Sequence, residues 1–134
     1  MKITRACDYT IRALVFMARH PMGTAFMRSD LAKKCCVPDS FLGKILQSLA
    51  KSDILTSERG KKGGFRLGMT PDKISMYDIL VAVDGPLNIN NCLDEKDPCC
   101  FMCECNAHVM WNDIQEILVE KLKSYTLEDI AKQK

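Results

Sequence analysis

The stretch Ile54-Leu55-Thr56-Ser57-Glu58-Arg59-Gly60-Lys61-Lys62-Gly63-Gly64-Phe65-Arg66-Leu67 decides the fold. It reads as a strand, a glycine-rich turn and a second strand, because β-favouring residues flank glycines that tolerate a tight, exposed loop. Arg59, Lys61, Lys62 and Arg66 make this hairpin basic. Such a hairpin suits a phosphate backbone or a minor groove, where Arg and Lys fix position rather than read sequence. A nucleotide-phosphate loop would end in Gly-Lys-Ser/Thr and run straight into a helix. This stretch does neither.

The residues just upstream give the hairpin its context. Residues 28–35 predict a short helix with Ser29 as N-cap. Cys35-Cys36-Val37 is then a turn, and Pro38-Asp39-Ser40 opens a third helix running to about Lys51. In it Phe41, Leu42, Ile45, Leu46 and Leu49 are apolar at helical spacing, with Lys44, Gln47 and Lys51 on the other side. Two helices joined by a three-residue turn and followed by a basic hairpin compose a winged helix-turn-helix. The second helix of such a unit enters the major groove with its N-terminal residues on base edges, which here puts forward Pro38, Asp39, Ser40 and Lys44.

Further upstream, residues 4–19 predict a first helix, with Ile11, Leu14, Val15 and Ala18 on one face. Arg5, Arg12 and Arg19 recur on another face, either solvated or within reach of phosphates. Downstream, residues 75–84 predict a helix capped by Ser75 and stopped by Gly85-Pro86. Its Ile79, Leu80 and Val83 pack under the DNA-binding unit.

Charge agrees with this division. Residues 1–73 carry 14 Lys/Arg against 6 Asp/Glu, and residues 74–134 carry 5 against 11, so a basic part and an acidic part hide behind the net charge of +2. A basic face turned to a polyanion accounts for the asymmetry. A hydrophobic share of 47% with 27% charged residues marks a globular chain. No apolar run approaches the roughly 18 residues that a membrane span needs. The N-terminus lacks a signal-peptide pattern, so a cytoplasmic location is expected. Eight cysteines in that reducing compartment point to metal or redox chemistry before disulfides.

Five of those cysteines, Cys92, Cys99, Cys100, Cys103 and Cys105, fall between Asn91 and His108. Apolar side chains are few there, so the segment cannot fold around a core of its own. The segment requires iron–sulfur ligation, another metal or disulfides. Zinc would use Cys99 or Cys100 with Cys103, completed by Cys92, Cys105 or His108. A metal-free thiol switch would use Cys99 with Cys105, or the vicinal Cys99-Cys100 pair. A small electron-transfer protein would explain the cysteines but not the helix-turn-helix and the basic hairpin. No Ser/His/Asp or paired-carboxylate arrangement points to an enzyme. Cys7, Cys35 and Cys36 read as small buried or semi-buried residues.

After His108 a long helix runs to about Ser124. Trp111, Ile114, Leu118, Leu122 and Tyr125 trace nearly a heptad seam, which predicts pairing with a second copy. Thr126 caps a short last helix with Asp129 in its first turn. The fold class is therefore mainly α with a small β-hairpin wing. Its expected divisions are 1–86 as the winged helix-turn-helix, 87–108 as the cysteine-rich loop and 109–134 as the dimerisation helix with the short final one.

Taken together the chain resembles the small winged-helix regulators of the IscR and NsrR type. The features that carry the likeness are Lys2-Ile-Thr with Asp8-Tyr9, Arg12-Ala13-Leu14 and Met17-Ala18; the helix-turn-helix; Arg59-Gly60 with Gly63-Gly64-Phe65-Arg66-Leu67; Ala82-Val83-Asp84; and the cysteines before the last long helix. The resemblance implies a homodimer on a roughly palindromic double-stranded DNA operator, with an iron–sulfur cluster between head and dimer helix that responds to nitric oxide, oxidants or iron–sulfur status. It implies Cys92, Cys99 and Cys105 as ligands, with a first gap one residue longer than the usual pattern, and leaves Cys100 and Cys103 as extra candidates. The fourth ligand is His108 by the IscR pattern, favouring 2Fe–2S, or Asp8 of the other subunit by the NsrR pattern, favouring 4Fe–4S; the second is preferred here. Ser40 and Arg59 match DNA-contacting positions, whereas Gly43 replaces a glutamate by which IscR senses sequence.

Overall fold

The computed structural model describes residues 2–60 and 63–133. Lys61 and Lys62, two of the basic residues assigned to the hairpin, lie outside the described residues. In chain order the elements are α1 (Arg5–Ala18), α2 (Arg28–Cys35), α3 (Asp39–Lys51), β1 (Leu55–Glu58), β2 (Gly64–Leu67), a 3-10 turn (Pro71–Lys73), α4 (Met76–Asp84), a second 3-10 turn (Asn91–Leu93), α5 (Asn106–Ser124) and α6 (Leu127–Lys132). The class is the expected one, mainly helical with a single two-stranded antiparallel hairpin among the described residues.

The core forms where the apolar faces of α1, α2, α3 and α4 converge. Leu14, Leu31, Leu42, Leu46, Leu49 and Ile79 are fully buried there, joined by Leu127 of α6. Burying each such side chain contributes about 1.5–3 kcal/mol, and truncating one, as in Leu46→Ala, removes about 2–5 kcal/mol. Phe41, grouped with these by spacing, is instead half-exposed and meets the Tyr9 ring edge-on at 5.7 Å. Among the described residues no helix is long and apolar enough to cross a membrane.

The hairpin pairs Leu55 with Leu67 and Glu58 with Gly64. Phe26, just before α2, adds a third short strand position by exchanging two 2.8 Å backbone hydrogen bonds with Phe65. Gly64 is required there: its φ is +136°, and a β-carbon would lie 2.6 Å from the Phe26 carbonyl oxygen. This bridge holds the chain extended through Met27, which becomes the residue before α2 and has no side-chain cap. The expected cap at Ser29 is therefore displaced, with Ser29 inside the helix.

Both other expected caps form complete capping boxes. Ser75 accepts from the Asp78 N–H, and Thr126 from the Asp129 N–H, with each carboxylate returning a bond to the cap residue's backbone. The chain after α5 returns to the head: α6 packs on α1, and the Leu127 N–H donates to the Ile74 carbonyl at 2.8 Å.

Candidate functional site

The cysteine-rich segment leaves α4 at Gly85 and re-enters helix at Asn106. It is held by short local bonds and by one long one. The Asn90 side chain accepts from the Asn91 N–H, the second 3-10 turn follows, and the Ile89 N–H donates to Gln115 Oε1 of α5 at 3.0 Å. Further on, the Met102 N–H bonds the Cys99 carbonyl and the Glu104 N–H bonds the Phe101 carbonyl. The 3-10 turn is thereby set against the start of α5.

One recess of about 410 Å³ opens between them. Cys92, Asp97, Cys99, Cys105, His108 and Trp111 are among the residues that line it. Cys92 comes from the 3-10 turn, Cys105 precedes α5, and His108 and Trp111 lie on its first turns. The helix begins at Asn106, so His108 belongs to it rather than preceding it. The His108 Nδ1 is buried and has no hydrogen-bond partner. Three thiols and an unpartnered imidazole nitrogen are a soft donor set suited to iron or zinc. Among the described residues no three Cys, His, Asp or Glu side chains already close on a point that would hold one metal ion. The donors ring a space instead.

Cys100 and Cys103 are exposed and do not line the recess. Asp8 is also elsewhere. It is exposed on α1, with Oδ2 3.3 Å from Arg12 Nη2. A link between α1 and the loop does exist, through Thr4, Cys7 and Asp84. Asp84, the last residue of α4, accepts from Thr4 Oγ1 at 3.0 Å and from Cys7 Sγ at 2.9 Å. Burial, and then the Asp84 hydrogen bond, push the Cys7 thiol up to about 12. Burial likewise raises Cys35.

The helices α2 and α3, joined by the turn, form the expected helix-turn-helix. Cys36 takes the left-handed conformation (φ 54°) and its N–H bonds the Ala32 carbonyl, closing α2 before Pro38 leads into α3. Ser40, Lys44 and Gln47 are exposed on α3, and Arg59 is exposed at the end of β1. Arg66 is engaged within the hairpin: its Nη1 pairs with Glu58 Oε2 at 2.5 Å and its Nε donates to the Gly23 carbonyl at 3.1 Å.

Two arginines of α1 are also committed inside the molecule. Arg12 Nη1 donates to the Cys35 carbonyl at 3.1 Å. Arg19 donates from Nε to the Ala131 carbonyl and from Nη2 to the Gln133 carbonyl. Both satisfy carbonyls that a helix C-terminus leaves without partners.

The expected seam of α5 divides between two surfaces. Leu122 packs on the head core and Trp111 lines the recess. Val109, Met110, Ile114 and Ile117 form an outward apolar face, with Ile117 67% exposed.

Fold and site together define a winged helix-turn-helix regulator with a cysteine-rich recess beside the DNA-binding head. The family model of Rrf2, described as "Iron-dependent Transcriptional regulator", matches residues 3–133, and the chain belongs to that family. It is a transcriptional regulator, not an enzyme. It is 29% identical to the HTH-type transcriptional regulator NsrR of Bacillus subtilis, covering 100% of this chain and 92% of that one. It is 27% identical to the HTH-type transcriptional regulator IscR of Vibrio cholerae, over 97% of this chain and 75% of that one. Among solved structures, CymR, the global cysteine regulator of B. subtilis, superposes with a TM-score of 0.78 at 25% identity, covering 98% and 96% of the two chains. IscR of T. potens superposes with a TM-score of 0.76 at 22% identity, covering 98% and 87%, and so speaks to the fold alone.

Proposed function

We propose that the protein is a cytoplasmic homodimer that binds a double-stranded DNA operator through α3 and the hairpin, and that an iron–sulfur cluster in the recess sets its operator affinity. The observation that carries the reading is the convergence of Cys92, Cys99, Cys105 and His108 on one recess, with His108 Nδ1 buried and lacking a partner. A buried polar atom without a partner costs about 1–3 kcal/mol, and a metal–nitrogen bond removes that cost. We favour His108, which lines the recess, as the fourth ligand over Asp8, the preference on sequence, which would act from a second copy. By the family pattern, three cysteines with that histidine favour 2Fe–2S over 4Fe–4S.

Bound there, a cluster would supply a tie between loop and helix that nitric oxide or an oxidant breaks. The chain's own residues carry the consequence to DNA. Cys92 and Cys99 are joined through the loop to Asp84, which grips Thr4 and Cys7 at the start of α1. Arg12 of α1 in turn holds the end of α2. The outward face of α5, from Val109 to Ile117, is the surface offered to a second copy.

The test is absorbance, iron and sulfide analysis of protein purified without oxygen, repeated after nitric oxide. The expected result is a broad band near about 400 nm with about two irons per chain, bleached by nitric oxide with a change in operator affinity. A colourless protein with one zinc per chain, or an iron-free protein whose DNA binding follows thiol oxidation, would overturn the cluster.

A further inference from the structure

Gly43 sits in the middle of the exposed face of α3, between Ser40 and Gln47, where a groove-entering helix presents side chains. Glycine there costs helix stability, about 1 kcal/mol relative to alanine, and offers nothing to a base. The position is nevertheless covered. A β-carbon built on Gly43 would lie 3.2 Å from Arg28 Nη1 and 3.7 Å from Arg28 Cδ. The guanidinium of Arg28, which starts α2, therefore occupies the place that a side chain at 43 would take.

Asp39 keeps it there. Arg28 Nε lies 3.2 Å from Asp39 Oδ1. The pair is about half-exposed on both sides, so its own contribution to stability is small; its effect is to orient. It engages the Nε edge of the guanidinium. The edge formed by Nη1 and Nη2 remains, with Nη1 over Gly43, and that planar fork matches guanine O6 and N7. Arg28, Gly43 and Gln47 share a groove of about 370 Å³ with Gly60, Gly63 and Phe65 of the hairpin, and Gln47 and Phe65 also line a neighbouring recess with Arg59.

We propose that Arg28, seated across Gly43 and oriented by Asp39, is the sequence-reading arginine of this regulator and takes a guanine edge in each operator half-site. The inference rests on the reading of α3 as the helix that enters the major groove. The reader at this point is supplied by α2, and the recognition helix provides the gap for it. A larger residue at 43 would displace the guanidinium, and a carboxylate there would capture it.

The experiment is selection from a random duplex DNA library by the full-length protein, purified without oxygen, in parallel with Arg28→Lys, Arg28→Ala and Gly43→Glu. The expected result is a two-fold symmetric consensus for the unaltered protein, containing a guanine in each half-site. Arg28→Lys and Arg28→Ala lose the preference at that one position, by roughly ten- to a hundredfold in relative affinity, and keep the rest of the consensus. Gly43→Glu changes the preference at the same position. Arg28→Lys separates base reading from phosphate contact, since lysine keeps the charge but lacks the fork. Identical consensus sequences for the unaltered protein and Arg28→Lys overturn the proposal. An unaltered protein that enriches no consensus at all overturns the DNA-binding reading beneath it, and is distinguishable because the failure precedes any substitution.

Discussion

The Cys7 thiol donates to Asp84 at 2.9 Å, joining the start of α1 to the end of α4 at the point where the cysteine-rich loop departs. The thiol is fully buried, and the carboxylate also accepts from Thr4. The contact needs the Cys7 thiol to keep its proton.

Alkaline pH tests it. The Cys7 value is raised from 9.0 to about 12, chiefly by burial and then by the Asp84 bond. A raised folded value means that the stabilisation is complete below the unfolded value and is lost as pH climbs through the folded one. Stability is therefore expected to decline between 9.0 and about 12. Cys7→Ala removes that component, so denaturant melts of variant and parent converge at high pH. Curves that stay parallel across this range would count against the coupling. Asp84→Ala is expected to destabilise by about 1–2 kcal/mol at neutral pH, because it leaves the buried Cys7 thiol without an acceptor.

Much of this molecule is legible in its sequence, where the signal is local. The hairpin, the helix-turn-helix and the Ser75 and Thr126 caps are written within a few residues of where they act. That Cys92, Cys99, Cys105 and His108 line one recess is anticipated by the family resemblance rather than by spacing, since Cys100 and Cys103 lie equally close in the chain. What is not legible depends on distant partners. Arg12 and Arg19 look like a surface stripe, yet they hold carbonyls 23 and 112 residues away. Cys7 reads as a small buried residue, and only the fold brings Asp84 to it. Periodicity finds the apolar residues of α5 but cannot say that Leu122 faces the head while Ile117 faces outward.

Substitutions in the loop should sort the cysteines. Cys92→Ala, Cys99→Ala and Cys105→Ala are expected to abolish the visible absorbance of anaerobically purified protein. Cys100→Ser and Cys103→Ser are expected to retain it, since neither side chain lines the recess. His108→Ala should lose or shift the band, and Asp8→Ala should leave it in place. The reverse pattern for the last two would assign the fourth ligand to a second copy's α1.

Arg59 is exposed at the end of β1 and is the described hairpin cation that is free of the Glu58 pairing of Arg66. Its replacement by alanine is expected to weaken binding to all duplexes alike and to reduce the slope of log affinity against log salt by about one. Arg66→Ala should act differently, lowering thermal stability by freeing Glu58 and the Gly23 carbonyl. A sequence-dependent loss with Arg59→Ala, at unchanged salt slope, would place that residue on a base rather than on the backbone.

The outward face of α5 yields the last prediction. Val109, Met110, Ile114 and Ile117 recur close to helical spacing on a helix that has no fully buried residue in the single chain. In the proposed homodimer a two-fold interface would use this patch twice, so one substitution would remove two buried side chains, about 3–6 kcal/mol in total. Ile117→Glu adds two buried carboxylates with no partner and is expected to weaken the dimer by at least roughly a hundredfold. Sedimentation should then report monomers at concentrations where the parent is dimeric. Because Ile117 is 67% exposed, those monomers should keep the helical content and the thermal transition of the head. Leu122→Glu is the contrast. Leu122 packs on the head core, so the same charge there should lower the melting temperature itself. If Ile117→Glu leaves the dimer intact, the pairing surface lies elsewhere on the chain.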